Sequence, residues 1–189
     1  MESFLEVLNR PAQAFERRNA NLSWVIVGMT IAVVTVFDTV MNYLVNGKDY
    51  PVDIDSVRLL LLAGLGVATY LGICFIFWSV GKLFGSQTRL FVYIQTWGLT
   101  YIPTMICGVT VVLVEAYFTL FWNNSMWGLL LNIVFVGILI WKTILYAVFL
   151  KMVAGLSGKK LIGAFLLCGI GILILAFLNI SVGLKTPIL

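Results

Sequence analysis

A chain of 189 residues that is 61% hydrophobic and 11% charged, with a mean hydropathy of +1.06, has more apolar surface than a soluble domain of this size could hide in one core. It reads as an all-α integral membrane protein. There is no histidine, and Cys74, Cys107 and Cys168 form no CxxC pair, so the usual imidazole ligands and bases are missing, no metal or other cofactor is expected, and most hydrolase and metalloenzyme schemes fall away. The formal charge of +4 belongs to loops around a membrane and gives no reason to expect nucleic acid.

Residues 1–20 set Phe4, Leu8 and Phe15 among Glu6, Arg10, Arg17 and Arg18, the pattern of an interfacial amphipathic helix on the cytoplasmic side, bent at Pro11. The segment lacks an apolar h-region, so it is not expected to be a cleaved signal peptide, and the first span would serve as its own targeting signal. Residues 21–189 read as one five-helix transmembrane domain, with spans near 24–45, 58–81, 89–118, 127–150 and 161–178.

The first span contains Asp38, whose insertion costs about 2.5 to 3.5 kcal/mol. The 11 Val, Ile, Leu and Phe residues from Val25 to Val45 return roughly 3 to 7 kcal/mol on the same scale, so the helix inserts with its acid aboard. Thr35, Asp38 and Asn42 share a face that should point into the bundle. In the loop NGKDYPVDIDS, Asp53 and Asp55 make a DxD, but no nucleotide-binding domain surrounds it. The second span repeats small residues at Gly64, Ala68 and Gly72, a stripe that allows close approach of another helix.

The third span carries the most patterned face of the chain. At about 100° per residue, Tyr93, Trp97 and Tyr101 form one row and Thr96, Thr100 and Thr104 the next, with Glu115 on the same side and Gln95 opposite. Pro103 has no N–H, so the carbonyl of Leu99 loses its helical partner, which lipid cannot replace and a threonine or a neighbouring helix can. The span therefore belongs inside a bundle, kinked, with its polar aromatic face toward the other helices. The fourth span holds Lys142, and Ser157 in GLSGKK is placed to cap the fifth. The turns GKLFGSQTRL and LKMVAGLSGKKL form a weak internal repeat.

Basic residues decide the orientation. Arg10, Arg17, Arg18, Lys82, Arg89, Lys151, Lys159 and Lys160 fall on one side, and Lys48, Arg58 and Lys185 on the other, which puts the N-terminus in the cytoplasm and the C-terminus across the membrane. Asp38, Glu115 and Lys142 are the ionisable residues within the spans, with Arg58 at the outer end of the second, and such residues are candidate functional groups. At a rise of about 1.5 Å per residue, Asp38 and Lys142 differ in depth by nearly 10 Å. Lys142 would close part of that gap to pair with Asp38 or snorkel to the cytoplasmic face.

Three stretches carry a family resemblance: Pro11, Phe15 and Trp24 in RPAQAFERRNANLSW, the third-span signature VYIQTWGLTYIP with Tyr93 and Pro103, and GLSGKKLIGAF before the fifth span. In these the chain resembles the Yip family, five-helix membrane proteins named for interaction with Ypt/Rab GTPases. The resemblance implies a five-span bundle with a cytoplasmic N-terminus. The longer N-terminal region and DLYGP-like motif of eukaryotic members do not appear, so the chain is similar to the short prokaryotic type, a protein of the cytoplasmic (inner) membrane, and a Rab-type GTPase is not expected as partner. The expected role is non-enzymatic: a protein in contact with membrane lipids that organises or assembles other membrane proteins, or pairs with itself. The alternative is a small-molecule, ion or proton transporter or channel subunit using Asp38 or Glu115.

Overall fold

Proline and asparagine punctuate the start of the chain. In the computed structural model, which describes residues 8–37, 40, 56–116 and 125–182, Arg10 takes the non-helical backbone forced on a residue before proline, and Pro11 opens helix α1 (Pro11–Arg17). Arg18 then adopts the left-handed conformation. Asn19 accepts a hydrogen bond from the N–H of Leu22 at 3.1 Å, capping α2 (Ala20–Ala32). This cap is why the first span begins at Ala20 and not near Trp24. α2 loosens into a π-helical turn over Val33–Phe37. Asp38 and Asn42 lie outside the described residues, as do Asp53 and Asp55.

The second span is α3 (Ser56–Leu83). The third is built of three pieces, α4 (Leu90–Thr96), a 3₁₀ stretch over Trp97–Tyr101 and α5 (Ile102–Ala116). The fourth is α6 (Ser125–Met152) and the fifth α7 (Gly158–Ser181). Among the described residues five segments, Ala20–Phe37, Leu59–Leu83, Leu90–Val114, Met126–Met152 and Gly158–Ser181, are long and apolar enough to cross a membrane. Among the described residues there is no strand.

The third span is the centre of the bundle: 56% of its apolar window is buried, against 17% for the second and the fifth. Its bend is a tightening of the turn that precedes Pro103. The i→i+3 pairing of a 3₁₀ helix offers the Leu99 carbonyl the N–H of Ile102 in place of the one that proline lacks. The Thr100 hydroxyl donates to the Trp97 carbonyl at 2.8 Å.

Glycines decide how closely the spans cross. A Cβ on Gly98 would lie 2.4 Å from the carbonyl oxygen of Ser23, so the 3₁₀ stretch rests directly on the backbone of α2. A Cβ on Gly171 would lie 2.7 Å from Ile76, and one on Gly163 2.8 Å from Phe84, bringing α7 against α3. The expected stripe on the second span is not used this way. Gly64 and Ala68 are exposed, a Cβ on Gly64 would meet nothing within 4 Å, and Gly72 alone reaches a neighbour, Leu175, at ordinary contact distance.

At one end of the bundle the two hairpins and α1 meet. Gly85, at φ 94°, closes α3 with N–H bonds from Ser86 to Gly81 at 2.9 Å and from Gly85 to Lys82 at 3.0 Å, the Schellman pattern. The Thr88 hydroxyl crosses to the Val153 carbonyl at 2.7 Å, so the two similar turns lie side by side. Ser157 occupies the start of α7, but its side chain makes no capping bond. Phe15 of α1 is buried, edge-on to Phe149 at 5.5 Å.

Candidate functional site

The patterned face of the third span divides into two environments. Toward the hairpin end it enters an aromatic core. Trp97 stacks on Tyr146 at 5.0 Å and meets Phe77 at 4.1 Å and Phe149 at 4.7 Å, while Tyr93 meets Phe149 at 5.5 Å. Each pair adds about 0.5–1.5 kcal/mol beyond the area it buries. The Tyr93 hydroxyl lies 3.4 Å from Ser86 Oγ. Thr96 donates to the Val92 carbonyl at 2.6 Å, and Pro103 is buried. Tyr93, Thr100 and Pro103 are thus packed away from the open space of the molecule.

Beyond the 3₁₀ stretch, the same face opens on a cavity of about 90 Å³ to which all five spans contribute. α2 supplies Thr30 and its π-helical turn Thr35, α3 supplies Thr69, the third span Tyr101 and Thr104, α6 Lys142 and Tyr146, and α7 Asn179. The remaining walls are aliphatic, among them Ile73, Ile172 and Leu175. A water needs about 10–15 Å³ on this measure, so the space admits roughly six to nine.

Lys142 forms the charged part of this cavity. It is only 6% exposed, so it does not snorkel to an interface. Its Nζ lies 6.0 Å from the centroid of the Tyr101 ring and 5.8 Å from that of Tyr146, within reach of a cation–π attraction. Among the described residues Lys142 has no ion pair. The hydroxyl of Thr104, also buried, has no hydrogen-bond partner among the described residues. Thr69 donates to Asn179 Oδ1 at 3.0 Å, tying the second and fifth spans at the other end of the cavity. Thr30 and Thr35 turn their hydroxyls back to the carbonyls of Ile26, at 2.8 Å, and Ile31, at 2.7 Å. Back-bonding of this kind loosens helices, and here it accompanies the π-helical turn.

Of the residues singled out from the sequence, the structure brings Tyr101, Thr104 and Lys142 together. Asp38 is outside the described residues. Arg58 and Glu115 lie on the described backbones of α3 and α5, but their side chains are outside the description. Tyr146, Thr69 and Asn179 complete the cavity and were not anticipated. Tyr146 follows Lys142 by one helical turn and could have been found by that spacing, and Asn179 is a lone amide in an aliphatic run. Among the described residues no group of His, Cys, Asp or Glu could hold a metal ion, and the three cysteines are unpaired. In comparison with known families, residues 5–178 match the Yip1 domain. No curated protein and no solved structure matches the chain.

Proposed function

The chain belongs to the Yip family by a match over residues 5–178, and from that premise we propose that it is a non-enzymatic membrane protein that organises or assembles other membrane proteins. The observation that carries this reading is the outer surface of α3. Gly64 and Ala68 sit there in open space beside the exposed Leu60, Leu61 and Val67, so a partner helix can approach the α3 backbone closely. The charge asymmetry of the loops supports an N-terminus in the cytoplasm and a C-terminus across the membrane, and the resemblance to short prokaryotic members supports an inner membrane.

A photo-crosslinker placed at position 68 in native membranes tests this. The expected result is a discrete adduct, with another membrane protein or with a second copy, that disappears in Gly64→Ile. Recovery of the uncrosslinked protomer alone counts against the reading. The cavity around Lys142 favours a second one, a small transporter or channel subunit. Flux into liposomes that falls in Asp38→Asn, Glu115→Gln or Lys142→Met would support it, and flux no greater than that of empty liposomes would dismiss it.

A further inference from the structure

Three features of the cavity between the spans point to a ligand. The first is an amine, that of Lys142, more than nine-tenths buried and lining the space with no ion pair among the described residues. The second is the Thr104 hydroxyl, buried in the same wall with no hydrogen-bond partner among the described residues. Buried polar groups ordinarily have partners, and each one left without one needs an explanation. The third is that most of the surface lining the space is apolar, with Ile31, Ile73, Ile172 and Leu175 supplying its aliphatic part. A bare hydrated anion would leave this wall wet.

Depth and volume narrow the ligand. Lys142 is ten residues before the end of α6 at Met152, or about 15 Å from the hairpin end of the bundle at a rise of about 1.5 Å per residue. Asn179, at the other end of the cavity, is 21 residues past Gly158, where α7 begins, or roughly 31 Å from the hairpin end. The cavity therefore runs from the middle of the bundle toward the end opposite the hairpins, with its charge at the inner end. Space for about six to nine waters is roughly 180–270 Å³ of liquid, enough for one short chain.

We propose that this cavity binds a monocarboxylate with a short aliphatic chain, its carboxylate received by Lys142 and the Thr104 hydroxyl and its chain lying on Ile73, Ile172 and Leu175. The amine and the hydroxyl then gain an acceptor that no described residue gives them, and the aliphatic wall is covered by carbon. The inference goes beyond the organising role and does not rest on it.

The test is saturable binding of radiolabelled hexanoate to the full chain in nanodiscs. Hydrogen bonds to charged groups are worth enough that Lys142→Met should weaken binding by about 10- to 150-fold, whereas Lys142→Arg should keep most of it. Thr104→Val removes one donor to the carboxylate and should weaken binding by about 10-fold or more. Size-exclusion and circular dichroism profiles matching the parent establish that each variant is folded, and Thr104→Val, which keeps the side-chain shape, supplies an independent reading if Lys142→Met fails that check. Absence of saturable binding to the parent, or binding left intact by Lys142→Met, overturns the proposal. Displacement of hexanoate by inorganic phosphate but not by octanoate would overturn the aliphatic part. Binding of palmitate from the bilayer with none of hexanoate would overturn the short-chain assignment.

Discussion

Gly98 is the position at which one carbon atom should cost the most. Gly98→Ala would place its Cβ 2.4 Å from both the carbonyl oxygen and the Oγ of Ser23, and 2.8 Å from Val27 Cγ2. Carbon and oxygen rest at about 3.3–3.6 Å, so the 3₁₀ stretch and α2 must separate by about 1 Å. The obstructing atom is helix backbone and cannot rotate aside. Overpacking costs about 1–3 kcal/mol, and rigid backbone puts this case near the top of that range. Replacing a helical glycine returns about 0.5–1 kcal/mol, which leaves a net loss of about 2 kcal/mol. Gly137→Ala is the matched control, because its Cβ would meet nothing within 4 Å, and it should gain the propensity term alone. The two variants should therefore differ by about 3 kcal/mol in equilibrium unfolding from mixed micelles. If Gly98→Ala were no less stable than Gly137→Ala, the close approach of the third span to α2 would be wrong, and with it the central position of that span.

Further outcomes follow from the same geometry. Lys142→Met should improve translocon insertion of the isolated fourth span by about 2.5–3.5 kcal/mol; an unchanged insertion efficiency would mean that Lys142 avoids the membrane interior. Thr69→Val and Asn179→Ala should be coupled by about 0.6 kcal/mol in a double-mutant cycle, the usual worth of an interhelical hydrogen bond in a membrane, and strict additivity would remove that bond from the description. Phe15→Ala opens a cavity under α1, costing about 3 kcal/mol or more locally, and should hasten tryptic cleavage at Arg17 and Arg18. Cleavage at the parent rate would show that α1 is held by something other than its aromatic anchor.

Much of the third span was legible before any coordinates. Helical spacing alone put Tyr93, Trp97, Thr96 and Thr100 on one side, and all four are buried. The missing N–H of Pro103 located the bend, although the tightening into a 3₁₀ turn depends on α2 pressing against Gly98, a long-range contact. The glycines show where such reading stops. Gly64, Ala68 and Gly72 form an unbroken stripe of small residues, whereas Gly163 and Gly171, at the same eight-residue separation, have Leu167 between them, yet the latter two make the close crossings. Spacing identifies a face that permits close approach; which helix comes to occupy it is decided by the sum of contacts elsewhere in the bundle.

Lys142 shows the same limit in a side chain. Its flexible stem and its position in the half of α6 nearer the hairpins suit snorkelling as well as burial, and nothing in the local sequence chooses between them. The choice is made by the far side of the third span. Across the 3₁₀ stretch the same two rows change surroundings: Tyr93, Trp97, Thr96 and Thr100 end in the core, and Tyr101 and Thr104 border open space. Tyr101 and Tyr146 then present ring faces to the amine at about 6 Å, a stabilising environment that the water interface would have to outbid across several turns of helix. The 3₁₀ stretch before Pro103 thus stands at the boundary between the aromatic core and the space in which a basic side chain is kept inside the bundle. Straightening the third span by Pro103→Ala should therefore narrow that space, and the sign of the effect is read from accessibility of a cysteine placed at position 142, which should fall relative to the same cysteine in the proline-containing chain.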